Sequence, residues 1–304
     1  MKFLKTSRLL LNYALSAWIF CLSSIQMPGQ SLDDLLLLEN GKFKTYYSEG
    51  QKISAEFSAI LCESANEYFA ETLSDIEVPF QLLVLSKSDW PLFTHSNLIY
   101  GMPHFKVGGK TLVVAAEDND FWRRQVPDPA SVDSPFKELI PVVYSLDGEI
   151  SGRYFFDLLA VHELSHAWHG AAGLKTHRKW LSELFCNIML HTFIAEKFPD
   201  FLWALEVLPA YWSSVDLGEL PFTALSEFDD HYTRLSSAHP FNYAWYQYRF
   251  HRTAKLIYDE AGPEATKKLW DFMVKYKETL SDEELVEKLG EEVHPYFKTL
   301  VESW

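Results

Sequence analysis

The β-like runs of this chain all fall before residue 117, and all but one of its helical periodicities follow residue 152. That order limits the fold more than any other feature. Phe43 to Tyr47 alternates and is rich in aromatics, Pro79 to Leu85 reads PFQLLVL, and Lys110 to Ala116 reads KTLVVAA after a Gly108-Gly109 turn. Each is a short strand by length and composition. Between the first two, Ile53 to Leu73 places Phe57, Ile60, Leu61, Tyr68 and Phe69 at helical spacing. Residues 117–149 read as loop, with Pro127, Pro129, Pro135 and Pro141. Beyond Gly152 the pattern turns helical. Tyr154 to Gly170, Arg178 to Lys197, Phe241 to Ala261, Glu264 to Tyr276 and Asp282 to Leu289 are expected helices, with a last one near the C-terminus. No alternating βαβ pattern and no internal repeat is evident. The expected class is α+β, with a small mixed sheet in the N-terminal half and a mostly helical C-terminal half. Residues 32–150 and 151–304 form the two expected sublobes of one domain.

The bulk properties exclude several functions. Apolar residues make up 48% of the 304, with twenty-two Phe and ten Trp, which supports a packed core rather than disorder. The net charge is −15, and the first 31 residues hold Lys2, Lys5 and Arg8 without an acid, so the body carries −18. A body of that sign repels phosphate backbones, which argues against nucleic acid as a partner. The first 31 residues themselves run from a basic start through an apolar stretch at Leu9 to Ile25 into small and polar residues, the order of a signal peptide. An uncleaved anchor is the alternative, and the only expected membrane contact. A secreted or cell-envelope location follows as an expectation. Cys62 and Cys186 both sit in expected helices, where a small buried hydrophobe is the simpler role than a disulfide.

The string Val161-His162-Glu163-Leu164-Ser165-His166 carries the chemistry. It places an H-E-x-x-H inside an apolar helical stretch, FFDLLAVHELSHAW, where unpartnered His and Glu are costly to bury. Residues four apart share a helix face, so two imidazoles converge on one metal ion. Glu163 flanks that face, where a carboxylate accepts the proton of a metal-activated water attacking a carbonyl.

A catalytic zinc takes three protein ligands and keeps one position open. Glu183, in Trp180-Leu181-Ser182-Glu183 at the start of the next helix, is the expected third ligand. His169 shares the face of His162 and His166, but three histidines along one helix spread over about 10 Å and cannot all hold one tetrahedral ion. The extended pattern H-E-x-x-H-x-x-G-x-x-H is not met, because His169 stands at its Gly and Ala172 at its last His. His177 and His191 are weaker alternatives. Gly108-Gly109-Lys110-Thr111 echoes a phosphate loop, but His104 stands where that pattern needs its first Gly.

HELSHAW followed by KWLSELFCNIM resembles the gluzincin metallopeptidases, the thermolysin- and aminopeptidase-like group, and among them the minimal bacterial peptidase MA-like domains. The likeness extends over roughly residues 43–304 through Tyr46-Tyr47, Trp90, Tyr100-Gly101, the helix from Tyr243 to Gly262, Leu289-Gly290 and Trp304. The resemblance implies a zincin-like fold with the sheet packed on the zinc helix. It implies one zinc per chain on His162, His166 and Glu183, with Glu163 as base. Asn187 stands where the family often has an acid orienting the first histidine. Tyr243 and Tyr246, with His239 behind them, are the implied oxyanion stabilisers. The strand Thr111 to Ala116 would be the sheet edge on which an extended peptide or protein substrate pairs. The expected activity is an exported zinc metallopeptidase. A zinc hydrolase of non-peptide amides or esters and a non-catalytic binding module on the same fold are the alternatives.

Overall fold

The computed structural model describes residues 31–39, 41–94, 98–106 and 108–304. The leader expected over 1–31 lies outside them except for Ser31, whose hydroxyl accepts from the amide of Asp33 and caps a single 3-10 turn, Leu32–Asp34. Among the described residues, no helix is long and apolar enough to cross a membrane.

In chain order the structure runs β1 (Leu36–Leu37), β2 (Thr45–Tyr47), α1 (Lys52–Thr72), β3 (Gln81–Leu85), a helical turn at Trp90–Phe93, β4 (His104–Phe105) and β5 (Thr111–Ala115). Then come α2 (Asp120–Gln125), α3 (Phe136–Val143) and the small hairpin β6 (Ser145–Leu146) and β7 (Glu149–Ile150). The rest is helical: α4 (Arg153–Ala171), α5 (Lys179–Lys197), α6 (Leu202–Ser214), α7 (Leu225–Ala238), α8 (Pro240–Ala261), α9 (Glu264–Lys275), α10 (Asp282–Glu292) and α11 (Tyr296–Glu302). The protein is α+β, with one small mixed sheet in its N-terminal half.

The chain forms two compact units. The first comprises the described residues up to Asn66, Pro79–Leu164 and Ser236–Phe241; the second comprises Glu67–Val78, Ser165–Leu235 and Asn242–Trp304. Helices α1 and α4 each run unbroken from one into the other, so spacing along α4 is set by helix geometry alone.

The first unit holds the five-stranded sheet, ordered β1-β2-β3-β5-β4. Strands β2, β3 and β5 are parallel, with Thr45 opposite Leu82 and Leu83 opposite Val113. Leu82 to Leu85 are fully buried, as continuous apolar runs predict for parallel strands covered on both faces. Two expectations are corrected. β2-α1-β3 is a βαβ unit: all three elements are expected from the sequence, and the parallel pairing of β2 with β3, which joins them, is the non-local feature that was not. Thr111–Ala115 is not the sheet edge: β4 pairs with it at Leu112 and Val113, so the edge position belongs to the two-residue β4. The Gly108-Gly109 segment is the turn of that β4–β5 hairpin, both glycines having positive φ.

The stretch 117–149 is also more ordered than its prolines suggest. Asn119 caps α2 by accepting from the amide of Trp122, and the Trp122 indole donates to the carbonyl of Gly101 at 2.6 Å. Gly101 sits at φ +108, and a Cβ there would lie 2.6 Å from that indole nitrogen, so only glycine fits. Trp122 stacks on Phe156 of α4 at 5.8 Å, tying this segment to the helix that carries the motif.

The second unit is helical and aromatic. Phe69 meets Trp168 and Phe193 edge to face, and Trp168 meets Trp270 at 6.3 Å. Phe228 of α7 gathers Tyr232, Tyr243, Tyr246 and Phe250 around it. Cys62 and Cys186 are buried and not joined in a disulfide, in line with the simpler sequence reading. Burial, with a smaller contribution from Glu63, pushes the Cys62 thiol up to about 12.

Candidate metal centre

Helix α4 begins where Arg153 pairs with Asp157 one turn on, at 3.1 Å, and its apolar residues Phe155, Phe156, Leu158, Val161 and Leu164 are buried. This fixes the rotation of the helix. His162 is carried inward at 3% exposure, while Glu163 and His166 stay half-buried. Helix α5 begins at Lys179 without a cap from its own preceding residue. Asp229 of α7 supplies one, accepting from the amide of Trp180 at 3.0 Å, and Arg178 is held by Asp282 and the carbonyl of Leu280. The first turn of α5 is therefore anchored from two sides, and Glu183 projects from it buried at 3% exposure.

His162, His166 and Glu183 each place one ligand atom within 4.8 Å of the others. His166 Nε2 lies 3.7 Å from Glu183 Oε1. Ligand atoms about 2.0–2.1 Å from a tetrahedral zinc stand roughly 3.3 Å apart, so modest side-chain adjustment brings this donor set to coordination distance. Two imidazoles and one carboxylate are also the donor types zinc takes in catalytic sites. The residues fit the ion.

Two residues that sequence reasoning missed hold the carboxylate. The Tyr232 hydroxyl donates to Glu183 Oε1 at 2.8 Å, and Gln247 Nε2 donates to Oε2 at 3.0 Å. Gln247 Nε2 also donates to the Tyr243 hydroxyl at 2.8 Å. A buried carboxylate needs such donors, and these fix both oxygens so that one faces His166. The signal available for Gln247 was its place one helical turn after Tyr243, as an amide within an aromatic helix. Tyr232 offered none, because α7 itself was not foreseen.

The two tyrosines proposed as oxyanion stabilisers part company. Tyr243 is buried beside Glu183's network; burial first, then the negative charge of Glu183 and the neighbouring Tyr232, hold its hydroxyl well above the usual phenol range. Its hydroxyl stays neutral and accepts from Gln247. Tyr246 instead donates to the carbonyl of Ala224 at 2.7 Å and stacks on Trp304 at 6.1 Å, which makes it a packing residue. His239 lies in the short turn between α7 and α8 and is half-buried. Asn187 is fully buried one turn after Glu183 on α5.

The remaining histidines separate as well. His169 Nε2 lies 3.0 Å from His166 Nδ1 and 3.4 Å from the Ser182 hydroxyl. His166, His169 and Cys186 form a second group of potential ligands, again within 4.8 Å of one another. Burial disfavours a charged His166, but the acidic groups of Cys186 and Glu183 outweigh it and raise its pKa well above the ordinary value. His191 pairs with Glu206 at 3.1 Å and packs against Tyr258, while His177 sits in a left-handed turn against Phe272. Neither joins the cluster.

No protein-family model matches the chain, and no curated protein matches it.

Proposed function

We propose that the protein is a zinc-dependent metallopeptidase of the gluzincin type, exported by its N-terminal leader, with His162, His166 and Glu183 as ligands and Glu163 as the general base. The observation that carries the reading is the convergence of His162 and His166, one turn apart on a single helix, with a buried carboxylate from the next helix. A zincin-like arrangement of that helix and the sheet is part of the same proposal.

A zinc ion held there would supply Lewis acidity to a water and to a scissile carbonyl. The chain's own residues do the rest. Glu163 follows His162 directly on α4 and stays half-buried, so its carboxylate remains reachable by solvent and substrate while flanking the ligand face. It takes the proton from the attacking water and later gives it to the leaving amine. Tyr232 and Gln247 fix Glu183 so that its oxygens do not swing away from His166. Tyr243, a neutral buried hydroxyl tied to Gln247, is the nearest of the expected oxyanion donors to this network.

The test is hydrolysis of a mixed peptide library by the zinc-loaded full chain, followed by mass spectrometry. The wild type is expected to cleave, and Glu163→Gln to lose about 10²–10⁴-fold in rate while keeping its metal. A loaded, folded wild type that cleaves nothing in the library, or a Glu163→Gln variant that cleaves as well as wild type, refutes the assignment.

A further inference from the structure

His166 belongs to two donor groups at once, and its ring presents a different edge to each. Nε2 faces Glu183 Oε1 at 3.7 Å, and Nδ1 faces His169 Nε2 at 3.0 Å. The second group, His166, His169 and Cys186, keeps its ligand atoms within 4.8 Å of one another and lies wholly inside the second compact unit. Its geometry is again internal to two helices: His166 and His169 are three apart on α4, and Cys186 projects from α5 one turn beyond Ser182, whose hydroxyl also reaches His169.

The chemistry of this second group differs from the first. A thiolate with two imidazoles is a softer donor set than two imidazoles with a carboxylate, and it favours thiophilic d¹⁰ ions such as Zn²⁺, Cd²⁺ and Cu⁺. Cys62 makes the contrast plain. It is equally buried and free, yet it lies in no such group among the described residues. Cys186 is buried against two half-exposed histidines, so an ion has donors at the surface and an anionic ligand beneath them.

We propose that His166, His169 and Cys186 form a second metal site of soft character, coupled to the His162–His166–Glu183 set through the shared imidazole. The site needs only the second unit and does not depend on the peptidase reading. An ion on the Cys186 side draws on the ring that the other set uses, so loading one set weakens or reshapes the other. The competing account of the same geometry is plain hydrogen bonding, of His166 with His169 and with Cys186, and no ion between them.

Cd²⁺ titration of the full chain separates the two, read by the ultraviolet thiolate-to-metal charge-transfer band. In Glu183→Gln, which disables the first set, the band is expected to saturate at about one equivalent. It should vanish in Cys186→Ser and in the apolar control Cys186→Ala. His169→Ala should weaken Cd²⁺ binding by at least about tenfold, as removal of a ligand requires. Absence of the band in folded wild type and Glu183→Gln overturns the site, as does a band that survives Cys186→Ala. A band unchanged in His169→Ala overturns the three-ligand set and returns His169 to the hydrogen-bond role. Zinc content of Cys186→Ala, which keeps only the first set, separates the two proposals: a Cd²⁺ band in wild type with no zinc bound by folded Cys186→Ala would sink the peptidase reading alone.

Discussion

Asp157 and Glu183 are both largely taken out of water, and they are handled in opposite ways. Asp157, in the first unit, is 11% exposed and pairs with Arg153 one turn away on its own helix. Glu183, in the second unit, takes hydrogen bonds from the neutral donors Tyr232 and Gln247, and its ion-pair partner is an imidazole, charged only when protonated. A carboxylate matched to a guanidinium has permanent charge compensation and a structural role. One matched to a histidine, with both oxygens held in place by neutral donors, belongs to a donor set that could hold a metal ion. The contrast is between a carboxylate paired within its own helix and one that joins a donor set from two helices.

Neutral isosteres break the comparison most sharply. Glu183→Gln should weaken zinc affinity by more than about 100-fold, beyond what loss of an outer partner costs, whereas Asp157→Asn should leave it unchanged within error in an isothermal titration. Equal losses in the two variants would mean that Glu183 acts only through folding.

The next effect is on stability against pH. Burial raises the Asp157 carboxyl from 3.8 to about 6, outweighing the attraction of Arg153. A carboxyl raised in the folded state favours folding fully below its unfolded value and loses that contribution as pH rises through the folded one. This group alone therefore lowers stability between about pH 4 and 6, by on the order of 2–3 kcal/mol. Denaturation of wild type and Asp157→Asn at pH 4 and pH 7 should show the difference between them shift by that amount, in favour of the variant at the higher pH. A difference that does not move with pH would show that Arg153 keeps the carboxyl ionised throughout.

Smaller still is Gln247→Leu, which removes one donor from Glu183 and is expected to cost about 10–100-fold in zinc affinity. Tyr246→Phe closes the series. It lies three residues after Tyr243 on the same helix but bonds to the carbonyl of Ala224, so it should cost about 1 kcal/mol in unfolding free energy and nothing in metal affinity. A metal defect in Tyr246→Phe would restore it to the site and blur the division.

The features legible in the sequence were those whose signal is local. Helices α4 and α5 begin and end within a residue or two of where periodicity and the Gly170, Gly173 and Pro199 breaks place them. The spacing of His162, Glu163 and His166 is a property of one helix and needed no tertiary information. Glu183 was found because it opens the next helix. What stayed hidden is non-local or locally ambiguous. Tyr232 and Gln247 reach Glu183 from 49 and 64 residues away. Helix α7, LSEFDDHYTRLSSA, is built largely from weak helix formers, and α6 carries Pro209 within it, so neither declares itself by propensity. The sheet edge was misplaced because β4 is two residues long and has no pattern to read.

The central claim is that His162, His166 and Glu183 hold one zinc ion, and zinc-edge X-ray absorption on the purified full chain tests it most directly. The expected result is a zinc shell with nitrogen and oxygen neighbours near 2.0–2.1 Å, kept in Cys186→Ala and lost when Glu183→Ala is combined with it. No zinc in folded Cys186→Ala after reloading, or a shell unchanged by the added Glu183→Ala, would contradict it.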